Sequence, residues 1–324
     1  MFADSKTIVV FGEALVDDFI SEQVVGGAPF NVARHLAAFG AAPLMITRIG
    51  GDANGVTVRA EFARYGMREE GLQVDAVAPT GRVIVERSEG SHRFIILPDQ
   101  AYDHIEAGAA LAAMARCAPA TLYFGTLAQR ASASSDALSQ LFAATPARRF
   151  LDLNMRDDQV TERCVFASLH HADVVKVNED ELRALFNWYA PTPTQTHTQT
   201  LSWPADMANL HLHAACATLI GVFGLTGLIV TLGERGAAYF GADRPPVHAG
   251  ADAGANISAA DVVDTVGAGD AFSAIFLLGS ALGWPLDTIL SRANQFAAAI
   301  CGIAGAVPAD TAFYGPWMTR WLAD

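Results

Sequence analysis

The stretch DTVGAGDAF, Asp264 to Phe272, sets two carboxylates around a run of small residues, just ahead of a long uncharged segment. Glycines before a helix are the usual makings of an anion site, because unpaired N–H groups and the helix dipole favour negative charge there. Yet Asp264 and Asp270 should repel an anion. The rest of the chain has to explain that contradiction.

The chain has 324 residues and a formal net charge of -13. That length fits one large α/β domain or two ordinary ones. The acidic balance argues against nucleic acid or an anionic membrane as a partner, since no basic field exists to displace counterions. A phosphorylated ligand would have to be held by local dipoles, a few arginines or a metal. Cys117, Cys164, Cys216 and Cys301 lie far apart with no CxxC pair, and they read as buried thiols rather than zinc or redox groups. MFADSKTIVVFGEALVD lacks the basic start and apolar core of a signal peptide, so a cytoplasmic protein is expected. The uncharged run from Ala214 to Gly233 approaches the length of a bilayer span. Glycines interrupt it and its second half is β-branched, so a buried helix followed by a central strand is expected instead. A similar run from Ala271 closes at Pro285 and reads as a helix packed on a sheet.

Short apolar runs recur between helix-like stretches: TIVVFG, PLMITRIG, ATLYFGT, RRFLDLN, ADVVKVN and LIVTLG. This alternation predicts a three-layer α/β/α sandwich around a mainly parallel sheet, within a single domain over 1–324. Ligands in such folds sit beyond the carboxyl ends of the strands, which makes Asp152, Asn154, Lys176, Asn178 and Thr231 candidates. GRVIVERSEGSHRFIIL, from Gly81 to Leu97, reads instead as a hairpin around Glu89-Gly90-Ser91. With a strand near 14–25, it predicts a small β-sheet lid spanning about 14–25 and 81–98. PFNVARHLAAFG after Gly26-Gly27 reads as a helix with Pro29 in its first turn and Gly40 as terminator. The Thr- and Gln-rich stretch near 190–202 reads as an extended surface loop.

Three phosphate-binding readings of the glycines compete. A P-loop needs GxxxxGK[ST]; Gly50 to Gly55 comes nearest but lacks the lysine, and the chain holds only Lys6 and Lys176. A dinucleotide fingerprint fails at Phe272, where its third glycine should stand. The third reading makes Gly267, Ala268 and Gly269 a nest of backbone amides at the start of a helix beginning near Ala271. Asp270 then serves an acceptor hydroxyl as general base while the amides hold the developing charge. Taken alone, Asp270 reads equally well as a solvated helix cap.

DTVGAGDAF resembles the signature of the ribokinase-like sugar kinases, also called the phosphofructokinase-B family. GGAPFNVA, Gly26 to Ala33, is similar to that family's sugar motif in its fructokinase-like form, and GEALVD matches the strand before it. DLNMR, KVNEDE and VTLGERGA follow in family order over almost the whole chain. The resemblance implies an ATP-dependent carbohydrate kinase, a phosphotransferase acting on a primary hydroxyl. Fructose, a related ketose or a ketodeoxy sugar acid is the expected acceptor.

The same resemblance implies roles for individual residues. Asp17, Gly26, Gly27 and Asn31 would bind the sugar. Arg156 would meet the transferring phosphate or a substrate oxygen; its alternative is a surface ion pair with Asp157 or Asp158. Asn178 and Glu181 would hold water around magnesium, Thr231, Gly233 and Gly236 would border the nucleotide, and Asn294 would lie near the adenine. Asp264 would help hold a monovalent cation such as potassium, although Ala309 stands where some relatives offer a hydroxyl. By the same resemblance, the lid is a surface through which two copies could pair as a homodimer. Two alternatives remain open from sequence: a nucleoside kinase of the same family, and a catalytically silent sugar-binding regulator that keeps the fold.

Overall fold

The structure is a computed structural model and describes residues 7–19, 22–88, 91–156, 158–190, 209–250 and 262–322. From the amino end, β1 (Thr7–Phe11) leads to β2 (Leu15–Asp18), β3 (Gln23–Gly26), α1 (Ala28–Ala38), β4 (Leu44–Gly50), α2 (Ala53–Arg64) and β5 (Leu72–Asp75). The hairpin arms β6 (Gly81–Ser88) and β7 (Ser91–Ile96) follow. Alternation then continues through α3 (Ala107–Met114), β8 (Pro119–Phe124), α4 (Ser132–Ala144), β9 (Arg148–Asp152), α5 (Glu162–His171) and β10 (Val174–Asn178). After α6 (Glu179–Tyr189) and α7 (Asn209–Phe223) come β11 (Gly227–Thr231), β12 (Ala237–Gly241) and β13 (Val247–Ala249). The chain closes with α8 (Ala268–Leu282), α9 (Leu286–Cys301) and α10 (Gly315–Leu322).

Among the described residues, the main sheet runs β13-β12-β11-β10-β9-β8-β1-β4-β5. Its pairs are parallel except where β12 and β13 join antiparallel at one edge. All six apolar runs named above are strands of this sheet. Their continuous hydrophobicity follows from burial on both faces: Val9, Phe11, Leu122 and Val175 join one core, while Ile8, Val10, Tyr123 and Val174 join the other. The first core is closed by α3 to α7, the second by α1, α2, α8, α9 and α10.

The small sheet is separate, ordered β3-β2-β6-β7. β2 pairs parallel with β6, placing Leu15 opposite Gly81, and antiparallel with β3. The expected pairing of the two lid segments is therefore present. Residues 89–90 of the hairpin turn and 191–208 of the Thr- and Gln-rich stretch lie outside the described residues.

Helix α8 is buried along every residue from Asp270 to Gly279, as expected of a helix apolar all round. It begins at Ala268, earlier than the start near Ala271 that the sequence predicts. Gly267, at φ 79°, takes the left-handed cap position, and the freed turn winds directly into helix. The carboxyl end also moves: Gly283, again left-handed, stops the helix two residues before Pro285. Of the run from Ala214, α7 is buried on one side only, with Ala214, Ala217, Gly221 and Val222 exposed. No helix among the described residues is long and apolar enough to cross a membrane. Cys216 is buried as expected, but Cys117, Cys164 and Cys301 are only half-buried.

The Gly50 to Gly55 turn has a structural use. Asp52 caps α2 by accepting the Gly55 N–H and also receives the Thr80 N–H and hydroxyl. Its carboxylate fills the place where an anion would have to sit.

Candidate functional site

Helices α1 and α8 pack together and bring their amino-terminal turns to one place. There Asn31 Nδ2 donates to Asp270 Oδ2 at 2.7 Å, across 239 residues of sequence. Asn31 is 5% exposed and Asp270 9%, so neither is the solvated surface residue that each resembles in isolation. Asp270 belongs to the first turn of α8, where N–H groups lie outside the helix's own ladder and that of Ala268 reaches back to the Thr265 carbonyl at 3.4 Å. The dipole of a fifteen-residue helix therefore converges on the segment holding Gly267, Ala268 and Gly269.

Burial pushes the Asp270 carboxyl up to about 6; the Asn31 hydrogen bond opposes this, the Asp152 charge adds to it, and Lys176 and Arg156 pull it down. At neutral pH the group is ionised yet close to its protonated form, which suits a general base.

Beneath the glycine turn lies a second buried pair. Lys176 Nζ donates to both oxygens of Asp152, at 2.7 and 2.8 Å. Asp152 Oδ2 also accepts from Ser273 Oγ at 2.7 Å and Tyr123 Oη at 3.2 Å, so its lone pairs are well used. A Cβ on Gly269 would come within 3.4 Å of Lys176 Nζ. The ammonium thus sits close under the amides that would receive a phosphate.

On the lid side, Asp17 points at Gly26: a Cβ there would lie 2.3 Å from its Oδ2. Burial raises the Asp17 carboxyl to about 6, against the pull of Arg156 and then Arg34. Gly27 is the N-cap of α1 and has no side chain to cap it. Glu13, two residues after β1, faces the start of α1, where the Ala28 backbone pulls its carboxyl down. Burial raises Glu13 to about 7, its backbone hydrogen bonds and Arg156 oppose the shift, and Asp270 reinforces it. A small cavity lined by Glu13, Thr126, Asp152, Asn154 and Arg156 opens beside these groups.

Arg156 is exposed. Among the described residues it has no carboxylate partner within ion-pair distance, Asp158 included; Asp157 lies outside them. Its charge instead acts on Glu13, Asp17 and Asp270.

Asn178 and Glu181 meet through a reciprocal capping box at the start of α6. Asn178 is the N-cap of α6: its Oδ1 accepts the Glu181 N–H at 2.9 Å and its own N–H returns to Glu181 Oε2 at 2.8 Å. Glu181 Oε1 accepts from Met155 N at 2.8 Å, tying this capping box to the loop that carries Arg156. Among the described residues no group of three or more His, Cys, Asp or Glu is arranged to hold a metal directly. Two side chains already committed to backbone amides fit a hydrated magnesium ion, which keeps several waters, better than a direct cage.

Thr231 stands opposite Asn178 in the sheet register. Gly233 and Gly236 bound the tight turn from β11 to β12, both at positive φ. Asn294 spends its Nδ2 on the Ala249 carbonyl at 2.8 Å, joining α9 to β13. Asp264 accepts from Val266 N at 3.0 Å and Gly305 N at 3.3 Å, which binds its loop to the segment after α9. The Ala309 carbonyl in that segment accepts from Arg64.

Sequence reasoning passed over Glu13, Arg34, Tyr123 and Ser273. Glu13 was within reach, because it follows a parallel strand beside Gly12. Arg34 carried only the signal of its spacing, one helical turn after Asn31.

A family model described as pfkB family carbohydrate kinase matches residues 11–312. A fructokinase of Klebsiella pneumoniae is 29% identical over 321 residues, covering 91% of each chain. The fructokinase of Xylella fastidiosa, solved with bound ATP, superposes with a TM-score of 0.75 at 21% identity and covers 99% of this chain and 100% of that one. A fructokinase double mutant from Vibrio cholerae, solved with fructose, ADP and potassium, gives 0.74 at 22% identity, over 97% and 99%.

Proposed function

Since the chain belongs to the pfkB family of carbohydrate kinases, we propose that it transfers the γ-phosphoryl group of ATP to a primary hydroxyl of fructose or a closely related ketose. The observation that carries this reading is the buried Asn31–Asp270 hydrogen bond. It joins the helix that begins after Gly26-Gly27 to the helix of the glycine turn, and supports a reading in which acceptor and phosphate would meet beside one carboxylate.

Sugar hydroxyls would meet Asp17 and Asn31, with Gly26 leaving room for the Asp17 carboxylate and Gly27 for the Glu13 backbone. Asp270 takes the proton of the attacking hydroxyl. That oxygen forms a bond to the γ-phosphorus while the bond to the β–γ bridging oxygen breaks and ADP leaves. Negative charge on the phosphoryl oxygens would fall to the amides of Gly267, Ala268 and Gly269, held by the start of α8 before reaction, and to the exposed Arg156. Thr231, Gly233, Gly236 and Asn294 would border the nucleotide. Magnesium carried in with ATP would neutralise charge on the phosphates, and Asn178 and Glu181 would hold its waters. Asp264 would serve a monovalent cation.

The β2, β3, β6 and β7 sheet would close over the sugar and keep water from the phosphoryl group. Its edge strands β3 and β7 would be where a second copy of the chain could pair. Fructose in the Vibrio cholerae fructokinase structure, and the fructokinase names among the relatives, support a ketose over a nucleoside.

An ADP-release assay with ATP and magnesium tests this across fructose, ribose, tagatose, 2-keto-3-deoxygluconate, adenosine and inosine, with and without potassium. Turnover highest on fructose or tagatose is expected. Turnover confined to a nucleoside, or sugar binding with no ADP release, would overturn the reading.

A further inference from the structure

Arg34 is 3% exposed and lies one helical turn after Asn31. Its Nη1 donates to Glu61 Oε2 at 2.9 Å, and its Nη2 donates to the Val25 carbonyl at 2.8 Å and to Asn31 Oδ1 at 2.6 Å. A guanidinium offers donors and no acceptor. The Asn31 amide must therefore turn its oxygen toward Arg34, which leaves its NH2 for the Asp270 carboxylate. Rotated by half a turn, the same amide would press an oxygen against a carboxylate and an NH2 against a cation, both repulsive.

We infer that Arg34 is a positioning residue for phosphoryl transfer: it fixes which end of the Asn31 amide meets Asp270, and so holds the base ionised and aimed. The inference rests on the reading of Asp270 as general base. Arg34 touches no reacting atom in this arrangement and acts through Asn31. Through the Val25 carbonyl on β3, it also anchors the lid to the same amide.

The groups facing Asp270 are Asn31 from α1, Glu13 after β1, Tyr123 on β8, Asp152 on β9, Arg156 after β9 and Lys176 on β10. Arg34 meets Asp270 through the Asn31 amide, donating to its Oδ1 while its Nδ2 donates to Asp270. Arg34 itself faces Asp17, His35, Glu61, Tyr65 and Tyr314. The Asn31 hydrogen bond holds Asp270 down; if that bond is lost, its carboxyl rises and the acid limb of kcat/KM moves to higher pH.

The test is the pH profile of kcat/KM for the unaltered protein, Arg34→Met, Arg34→Lys, Asn31→Ala and the Arg34→Met/Asn31→Ala double variant. Arg34→Met is expected to lower kcat/KM about 10- to 100-fold below the limb and to move the limb upward. Arg34→Lys should recover part of both, since one ammonium donor can still face Asn31 Oδ1. In the Asn31→Ala background the Met substitution should add less than about twofold, because the two residues act as one unit. An unmoved limb in Arg34→Met, or the same loss repeated in the Asn31→Ala background, would overturn the inference. Should Arg34→Met fail to fold, an unmoved limb in Arg34→Lys would do so. No turnover by the unaltered protein on any sugar would overturn the kinase reading, and this inference with it.

Discussion

Lys176 and Asp152 form an ion pair inside the protein, with Nζ 2.7 and 2.8 Å from the two carboxylate oxygens and neither residue more than 6% exposed. Removing one partner leaves the other charge buried without compensation, which costs more than the pair is worth as a whole. Lys176→Met is therefore expected to destabilise the fold by about 3–5 kcal/mol. The paired change Lys176→Met with Asp152→Asn should be milder, because Asn can still accept from Ser273 and Tyr123. Urea unfolding of the three proteins checks this. Equal losses in the single and double variants would mean that charge burial is not the cause.

Asp270→Asn should keep the Asn31 contact, since an amide oxygen can accept the same hydrogen bond, while removing the base. Turnover is expected to fall roughly 100- to 10,000-fold, with sugar affinity by calorimetry nearly unchanged. Near-normal turnover would remove Asp270 from the chemistry.

The pH dependence follows from the same carboxyl. With Asp270 raised to about 6, kcat/KM should rise through that region as the base ionises, then level off. A limb near pH 4, the ordinary carboxylate range, would show that burial does not govern the base in solution.

Glu13 makes a separate prediction about stability. Its carboxyl is raised from 4.5 to about 7 in the fold, so the native state holds a proton that the unfolded chain has released. That contribution is complete below pH 4.5 and is lost as pH rises through 7. Glu13→Gln should therefore gain in melting temperature over the parent above pH 7, and the gap should narrow toward pH 5. A gap that does not change with pH would rule this out.

Gly267 takes a left-handed φ of 79°, and a Cβ there would lie 2.4 Å from Ala306 Cα. Ala306 cannot easily yield, because its carbonyl is held by His35 Nε2 at 3.1 Å and His35 in turn bonds Tyr314. Burial drives His35 down to about 3, so it stays neutral and keeps both bonds. Gly267→Ala should displace the amide nest and lower kcat/KM for ATP by about 100-fold. Unchanged ATP kinetics would show that the nest does not hold the phosphate.

The layers, the parallel sheet and the lid pairing were legible in the letters. Continuous apolar runs such as IVVF and LIV mark strands buried on both faces, and turn glycines need only local dihedral freedom. Helix ends were less secure: α8 starts at Ala268 because Gly267 enters the left-handed cap, and a run of small residues does not reveal which glycine will do so. Asn178 and Glu181 were legible as a pair, but their spacing alone could not distinguish a helical face from a capping box.

The sequence by itself determined which elements form and in what order, because hydrophobic periodicity and backbone propensity are local. It also set the glycine turn before an aspartate and the sugar-motif helix. Only the tertiary structure decided what each polar group faces. Asp270 finds Asn31 across 239 residues, Arg34 sets the direction of that amide, and Glu13 faces the start of a helix that begins fifteen residues after it. Those pairings arise from the packing of α1 against α8 over one sheet, where desolvation makes every unpartnered charge costly and so selects the partners.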